Sequence, residues 1–102
     1  MHALDALGNP VRRDMLRRLR AKPLSVGQLA AEFPVSRPAI SRHLRVLEDA
    51  GLVEMKSEGA QNLYSLRIEG FAPVRSFLDE FWDSALARLE ALAKKKKAKT
   101  DG

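Results

Sequence analysis

Cysteine is absent from this 102-residue chain. That excludes disulfides, thiolate metal sites and thiol redox sensing together. Histidine is almost as scarce: with only His2 and His43, a histidine metal cluster would have to be shared between subunits. There is no glycine-rich phosphate loop, and no acid/base pair stands at catalytic spacing beside a histidine. The chain therefore reads as no enzyme, with no metal site and no cofactor. No apolar run approaches the roughly 18 residues of a membrane span. Met1-His2-Ala3-Leu4-Asp5 does not read as a secretion signal, so a cytoplasmic protein without membrane partners is expected. The length suits one domain with one modest core.

Positive charge is present, but unevenly. The net charge of +5 owes much to Lys94, Lys95, Lys96, Lys97 and Lys99. Up to residue 93, thirteen basic side chains face twelve acidic ones. Within that part, residues 1–68 carry a net +4 and residues 69–93 a net −3. The tail explains the high pI; the basic amino-terminal two-thirds supplies a face suited to phosphate. The spacing divides the chain into a folded domain over 1–93 and a lysine-rich, disordered tail over 94–102.

Local signals give an element order of α1-α2-α3-α4-β1-β2-α5. Ala3, Leu4 and Leu7 suggest a short helix stopping at Gly8. Asn9-Pro10 reads as an N-cap with proline at the first helical position, where its missing N–H costs nothing. Val11, Met15, Leu16 and Leu19 form the apolar stripe of the helix that follows, to about Arg20. Ser25 and Gln28 fit a capping box opening a helix with Leu29, Ala30 and Phe33 inward, ending before Pro34. A further helix begins at Ser36 and closes at Ala50-Gly51. Val53 and Met55 alternate with polar residues. So do Tyr64, Leu66 and Ile68, beyond a polar Glu58-Gly59-Ala60-Gln61-Asn62 loop; together they predict a β-hairpin. The longest helix is expected from Pro73 to about Ala93.

The Ser36 helix is the most informative segment. At 100° per residue, Ile40, His43, Leu44 and Leu47 share one side, whereas Arg37, Pro38, Ser41, Arg42 and Arg45 share the other. An apolar back with three arginines and a hydroxyl in front suits the DNA major groove, where arginine pairs bidentately with guanine and serine bonds most base edges. Helix, tight turn, basic helix and hairpin together read as a winged helix-turn-helix, a mainly α fold. Ser36, Arg37, Pro38, Ser41, Arg42 and Arg45 are the candidate DNA contacts, with Arg37, Pro38, Ser41 and Arg42 nearest the bases and Arg45 nearest phosphate. Gln28 joins them from the preceding helix, although capping alone also explains it. Lys56, Gln61 and Asn62 join from the wing. His43 reads as packed between helices rather than as a ligand or pH sensor.

On the last helix, Leu78, Trp82, Ala85, Leu89 and Leu92 step 4-3-4-3, the spacing of a helix–helix seam. With Phe81, and with Leu4 from the first helix, they are the candidate homodimer interface through the terminal helices. An apolar effector pocket beside Phe77, Phe81 and Trp82 is the alternative use.

The chain resembles the ArsR/SmtB family of bacterial winged-helix repressors over about residues 3–92. The likeness is carried by Leu7-Gly8-Asn9-Pro10-Val11-Arg12, by Ser41-Arg42-His43-Leu44 through Ala50-Gly51-Leu52-Val53, and by Leu63-Tyr64-Ser65-Leu66. The resemblance implies a homodimer on a near-palindromic operator, blocking its promoter until a small-molecule or protein effector arrives, and located on the nucleoid when bound. It resembles members lacking the metal site: Leu29-Ala30-Ala31-Glu32-Phe33 holds no thiol. The last helix has Asp79, Glu80, Asp83 and Glu90 but no histidine, and exposed carboxylates alone make a poor transition-metal site. A nonspecific or architectural DNA-binding protein using the basic face and lysine tail is the alternative.

Overall fold

The computed structural model describes residues 2–100, with side chains from 2 to 95. Four helices come first: α1 (Ala3–Ala6), α2 (Pro10–Ala21), α3 (Val26–Ala30) and α4 (Arg37–Asp49). An antiparallel hairpin of β1 (Val53–Glu58) and β2 (Gln61–Leu66) follows. A 3-10 turn, η1 (Ile68–Phe71), leads into the long α5 (Ala72–Thr100).

Side-chain caps set the helix starts. Asn9 Oδ1 accepts the Arg12 N–H at 3.1 Å ahead of Pro10. Ser25 and Gln28 form the reciprocal capping box, and Ser36 Oγ accepts the Ala39 N–H at 3.3 Å. Each satisfies an amide that the first helical turn leaves without a partner. Met15, Leu16 and Leu19 of α2 meet Leu29 of α3 and Ile40, Leu44 and Leu47 of α4 in one buried cluster. Ala3, Ala6, Leu24, Leu52 and Val53 complete it. The inward stripes expected of α2 and α4 are therefore the core of the fold.

At its carboxyl end α4 closes in a Schellman motif. Gly51, at φ +78°, donates its N–H to the Glu48 carbonyl at 2.9 Å, and Leu52 donates to Leu47 at 3.0 Å. Leu52 and Leu47 are both buried, so the hydrophobic contact of that motif is present too. The chain leaves directly into β1. Register pairs Val53 with Leu66 through to Glu58 with Gln61, leaving Gly59-Ala60 as a two-residue turn. Gly59 sits at φ +60° and no other residue there has positive φ, as a glycine-first hairpin turn requires. Leu24 and Tyr64 exchange backbone hydrogen bonds at 3.0 and 2.8 Å, which fastens the wing beside the start of α3.

Three expectations are corrected. α3 ends at Ala30, short of Phe33, because the Glu32 and Phe33 amides turn back onto Leu29 and Ala30 in tighter i→i+3 bonds. Ile68 is not a strand residue: it starts η1 and is 69 % exposed. There the Arg67 N–H bonds the Leu52 carbonyl at 2.9 Å, and Gly70 lies so close to Gly51 that a Cβ on it would overlap the Gly51 carbonyl. Finally, α5 does not close near Ala93; its backbone continues to Thr100, so Lys94 and Lys95 extend the helix. Of the expected tail, Asp101 and Gly102 lie outside the described residues.

Candidate nucleic-acid interface

Burial of Ile40, Leu44 and Leu47 fixes how α4 is turned about its own axis. The opposite side is thereby presented outward: Arg37, Pro38, Ser41, Arg42 and Arg45 are all exposed. None of the three arginines forms an ion pair among the described residues. Their charge faces outward uncompensated, which favours a polyanion. Ser36 is exposed as well, but its oxygen is committed to the helix cap.

The outward residues do not all share one setting. Arg37, from the first turn of α4, lies back towards α3: its guanidinium would stand 3.9 Å from a Cβ on Gly27. With Ser25, Val26 and Gly27 on one side and Ala60, Gln61 and Asn62 of the wing on the other, it lines an open cleft of about 370 Å³. Three residues predicted separately, Arg37, Gln61 and Asn62, are thus brought together. Ser41, Arg42 and Arg45 do not line this cleft and lie further along α4. Gln28 is exposed beside it, with Oε1 held by the Ser25 N–H at 2.9 Å. Lys56, midway along β1, stays exposed with its Nζ 3.7 Å from the Glu54 carboxylate.

Behind α4, His43 is half-buried, and its Nδ1 lies 3.4 Å from Arg12 Nη1. A guanidinium has donors only, so Nδ1 accepts and the ring proton sits on Nε2. Burial, then the charges of Arg12 and Arg42, hold the ring below its ordinary pKa of 6.5. The Arg12 Nε in turn donates to the Ala6 carbonyl at 2.7 Å, so one side chain joins α1, α2 and α4. Arg12 was not singled out by sequence reasoning, and nothing in its spacing from His43 announces the contact.

Along α5, Leu78, Phe81, Trp82, Ala85, Leu89 and Leu92 are exposed, Trp82 to 65 % and Leu92 to 62 %. Leu4 is half-buried on α1, which packs against α5. Phe77 and Phe81 meet edge to face at 4.9 Å between ring centres. Among the described residues no group of three or more His, Asp or Glu side chains is placed to hold a metal ion, and no helix is long and apolar enough to cross a membrane.

Residues 7–56 match the model of a helix-turn-helix domain. The chain is 46 % identical over 84 residues to the HTH-type transcriptional regulator Rv2034 of Mycobacterium tuberculosis, covering 82 % of this chain and 78 % of that protein. It is 34 % identical over 65 residues to the transcriptional repressor SdpR of Bacillus subtilis, covering 64 % and 72 %. Its fold matches an ArsR-like transcriptional regulator from Rhodococcus sp. RHA1 at a TM-score of 0.70 and 31 % identity, over 88 % of each chain. The capped helix pair, the wing and these likenesses along most of the length converge on one assignment: the chain belongs to the ArsR/SmtB family of winged helix-turn-helix, DNA-binding transcriptional regulators.

Proposed function

We propose that the chain is a homodimeric, sequence-specific repressor that acts on a near-palindromic operator and needs no metal cofactor. The observation that carries this reading is α4 itself: a buried apolar back and an exposed front of Arg37, Ser41, Arg42 and Arg45 without ion-pair partners among the described residues. Repression is supported by the likeness to SdpR. The exposed Leu78, Trp82, Ala85, Leu89 and Leu92 of α5 supply a self-complementary face for a two-fold partner. Two α4 helices so paired present half-sites one helical turn, ~34 Å, or a multiple apart. An effector, small molecule or protein, releases the complex; the regulator works in the cytoplasm, on the nucleoid when bound.

Titration against the DNA upstream of the chain's own coding sequence and against a scrambled duplex, with and without chelator, tests this. Tight binding to the first alone, indifferent to chelator, is expected. Equal binding to both would favour a DNA-coating protein that uses the lysine-rich end of α5. Removal of residues 94–102 separates the two: a repressor keeps its preference, whereas a coating protein loses most of its affinity.

A further inference from the structure

The cleft between α3, the first turn of α4 and the wing tip offers hydrogen-bond donors and no carboxylate. Arg37 brings a guanidinium with no ion-pair partner among the described residues. Asn62 Oδ1 already accepts the Ser57 hydroxyl at 3.0 Å across the hairpin, which leaves its amide with two N–H donors. Ser25 Oγ accepts the Gln28 N–H, so its hydroxyl hydrogen remains to give. A recess of about 370 Å³ that combines an unpaired guanidinium with neutral donors, the Gln61 carboxamide and no carboxylate favours an anion, and its opening to solvent beside α4 suits a phosphate of the DNA backbone. Sequence position alone puts Arg37 near base edges; its guanidinium stands beside Gly27, in a cleft that Ser41, Arg42 and Arg45 do not line.

We infer that Arg37, with Asn62 and Ser25, clamps a single DNA backbone phosphate between the helix-turn-helix and the wing, and that base readout rests on Ser41 and Arg42. The inference rests on the DNA-binding reading above. In this arrangement Arg37 fixes the register of α4 on the duplex and reads no sequence. Asn62 makes the wing part of the same grip.

Two duplexes of equal length test it: one enriched by the wild-type protein from a random-sequence library, and one scrambled. Both are titrated at several salt concentrations with wild-type protein, with Arg37→Ala, Arg37→Lys, Asn62→Ala and Arg42→Ala variants, and with the Arg37→Ala, Asn62→Ala double variant. All three positions are exposed, and circular dichroism melting verifies that each variant is folded. Arg37→Ala is expected to weaken both duplexes by the same factor and to make the log–log salt slope shallower by about 0.9, the value of one neutralised phosphate. Arg37→Lys should keep the slope. Asn62→Ala should weaken both duplexes by one factor in wild-type protein and have no effect once Arg37 is alanine. Arg42→Ala should narrow the ratio between duplexes. A narrowed ratio or an unchanged slope for Arg37→Ala overturns the clamp. Wild-type protein that does not distinguish the duplexes overturns the specific-regulator reading instead, and the Arg37 slope still decides the clamp.

Discussion

Arg42 and His43 are neighbours on α4 with opposite duties, one facing out and the other in. A bidentate arginine–guanine pair is worth ~1–3 kcal/mol of discrimination, so Arg42→Ala should cost the preferred duplex that much and the scrambled duplex far less. Competition titration with single-base variants reads this directly. Lys56→Ala should weaken every sequence alike if, as proposed, the wing meets phosphate and sugar, since such contacts carry no sequence information. His43 responds to pH instead. Burial and the adjoining Arg12 and Arg42 lower its folded-state pKa beneath 6.5, so on acidification the unfolded chain takes up the proton first. The neutral ring's contribution is whole above pH 6.5, and declines as pH falls from that value through the lower folded-state pKa. Urea melts between pH 7.5 and 5.5 should show wild-type stability falling, with a shallower fall for His43→Gln. Parallel curves for the two proteins would remove His43 as the cause.

Among the elements, the end of α4 is the most tightly specified. Gly51 at φ +78° holds a conformation costing an L-residue about 1–2 kcal/mol, and Gly51→Ala should lose that much stability. Leu44→Ala, in the centre of the core, should lose ~2–5 kcal/mol. Chemical denaturation of both variants checks the order. These features were legible because they are local: Asn9, Ser25 and Ser36 each cap within their own turn, and the α2 and α4 stripes repeat at the helical period. What escaped was decided at a distance. Apolar alternation carries on through Ile68, but a hydrogen bond from Arg67 to Leu52 and the contact of Gly70 with Gly51 end the strand first. Lys22-Pro23 reads as the end of α2, and nothing local tells that Leu24 will pair with Tyr64. The lysines after Ala93 read as tail by composition, yet lysine is a good helix former and no glycine or proline stops α5 there. The candidate interface divides in the same way. Its α4 face followed from periodicity, whereas the meeting of Arg37 with the wing tip is a product of tertiary packing.

At the scale of the whole molecule, α5 dominates. The radius of gyration is 19.6 Å, against about 13 Å for a compact domain of this length, because α5 runs past the core. An apolar stripe along such a helix is a liability for an isolated chain, and burying it against a second α5 removes the liability. On the proposed homodimer, Trp82→Glu places a charge in the middle of that face and should yield monomers; operator affinity should fall with it, since one α4 would then replace two. A Trp82→Glu protein that stays dimeric would place the interface elsewhere. How that mass is measured matters. With extents of 71 × 25 × 22 Å, a single chain is nearly three times as long as it is broad. It will diffuse slowly for its 11.4 kDa and leave a gel-filtration column early, in the place of a rounder protein of greater mass. Elution volume would report two subunits where there is one. Sedimentation equilibrium or light scattering, which weigh the particle without regard to its outline, will count them.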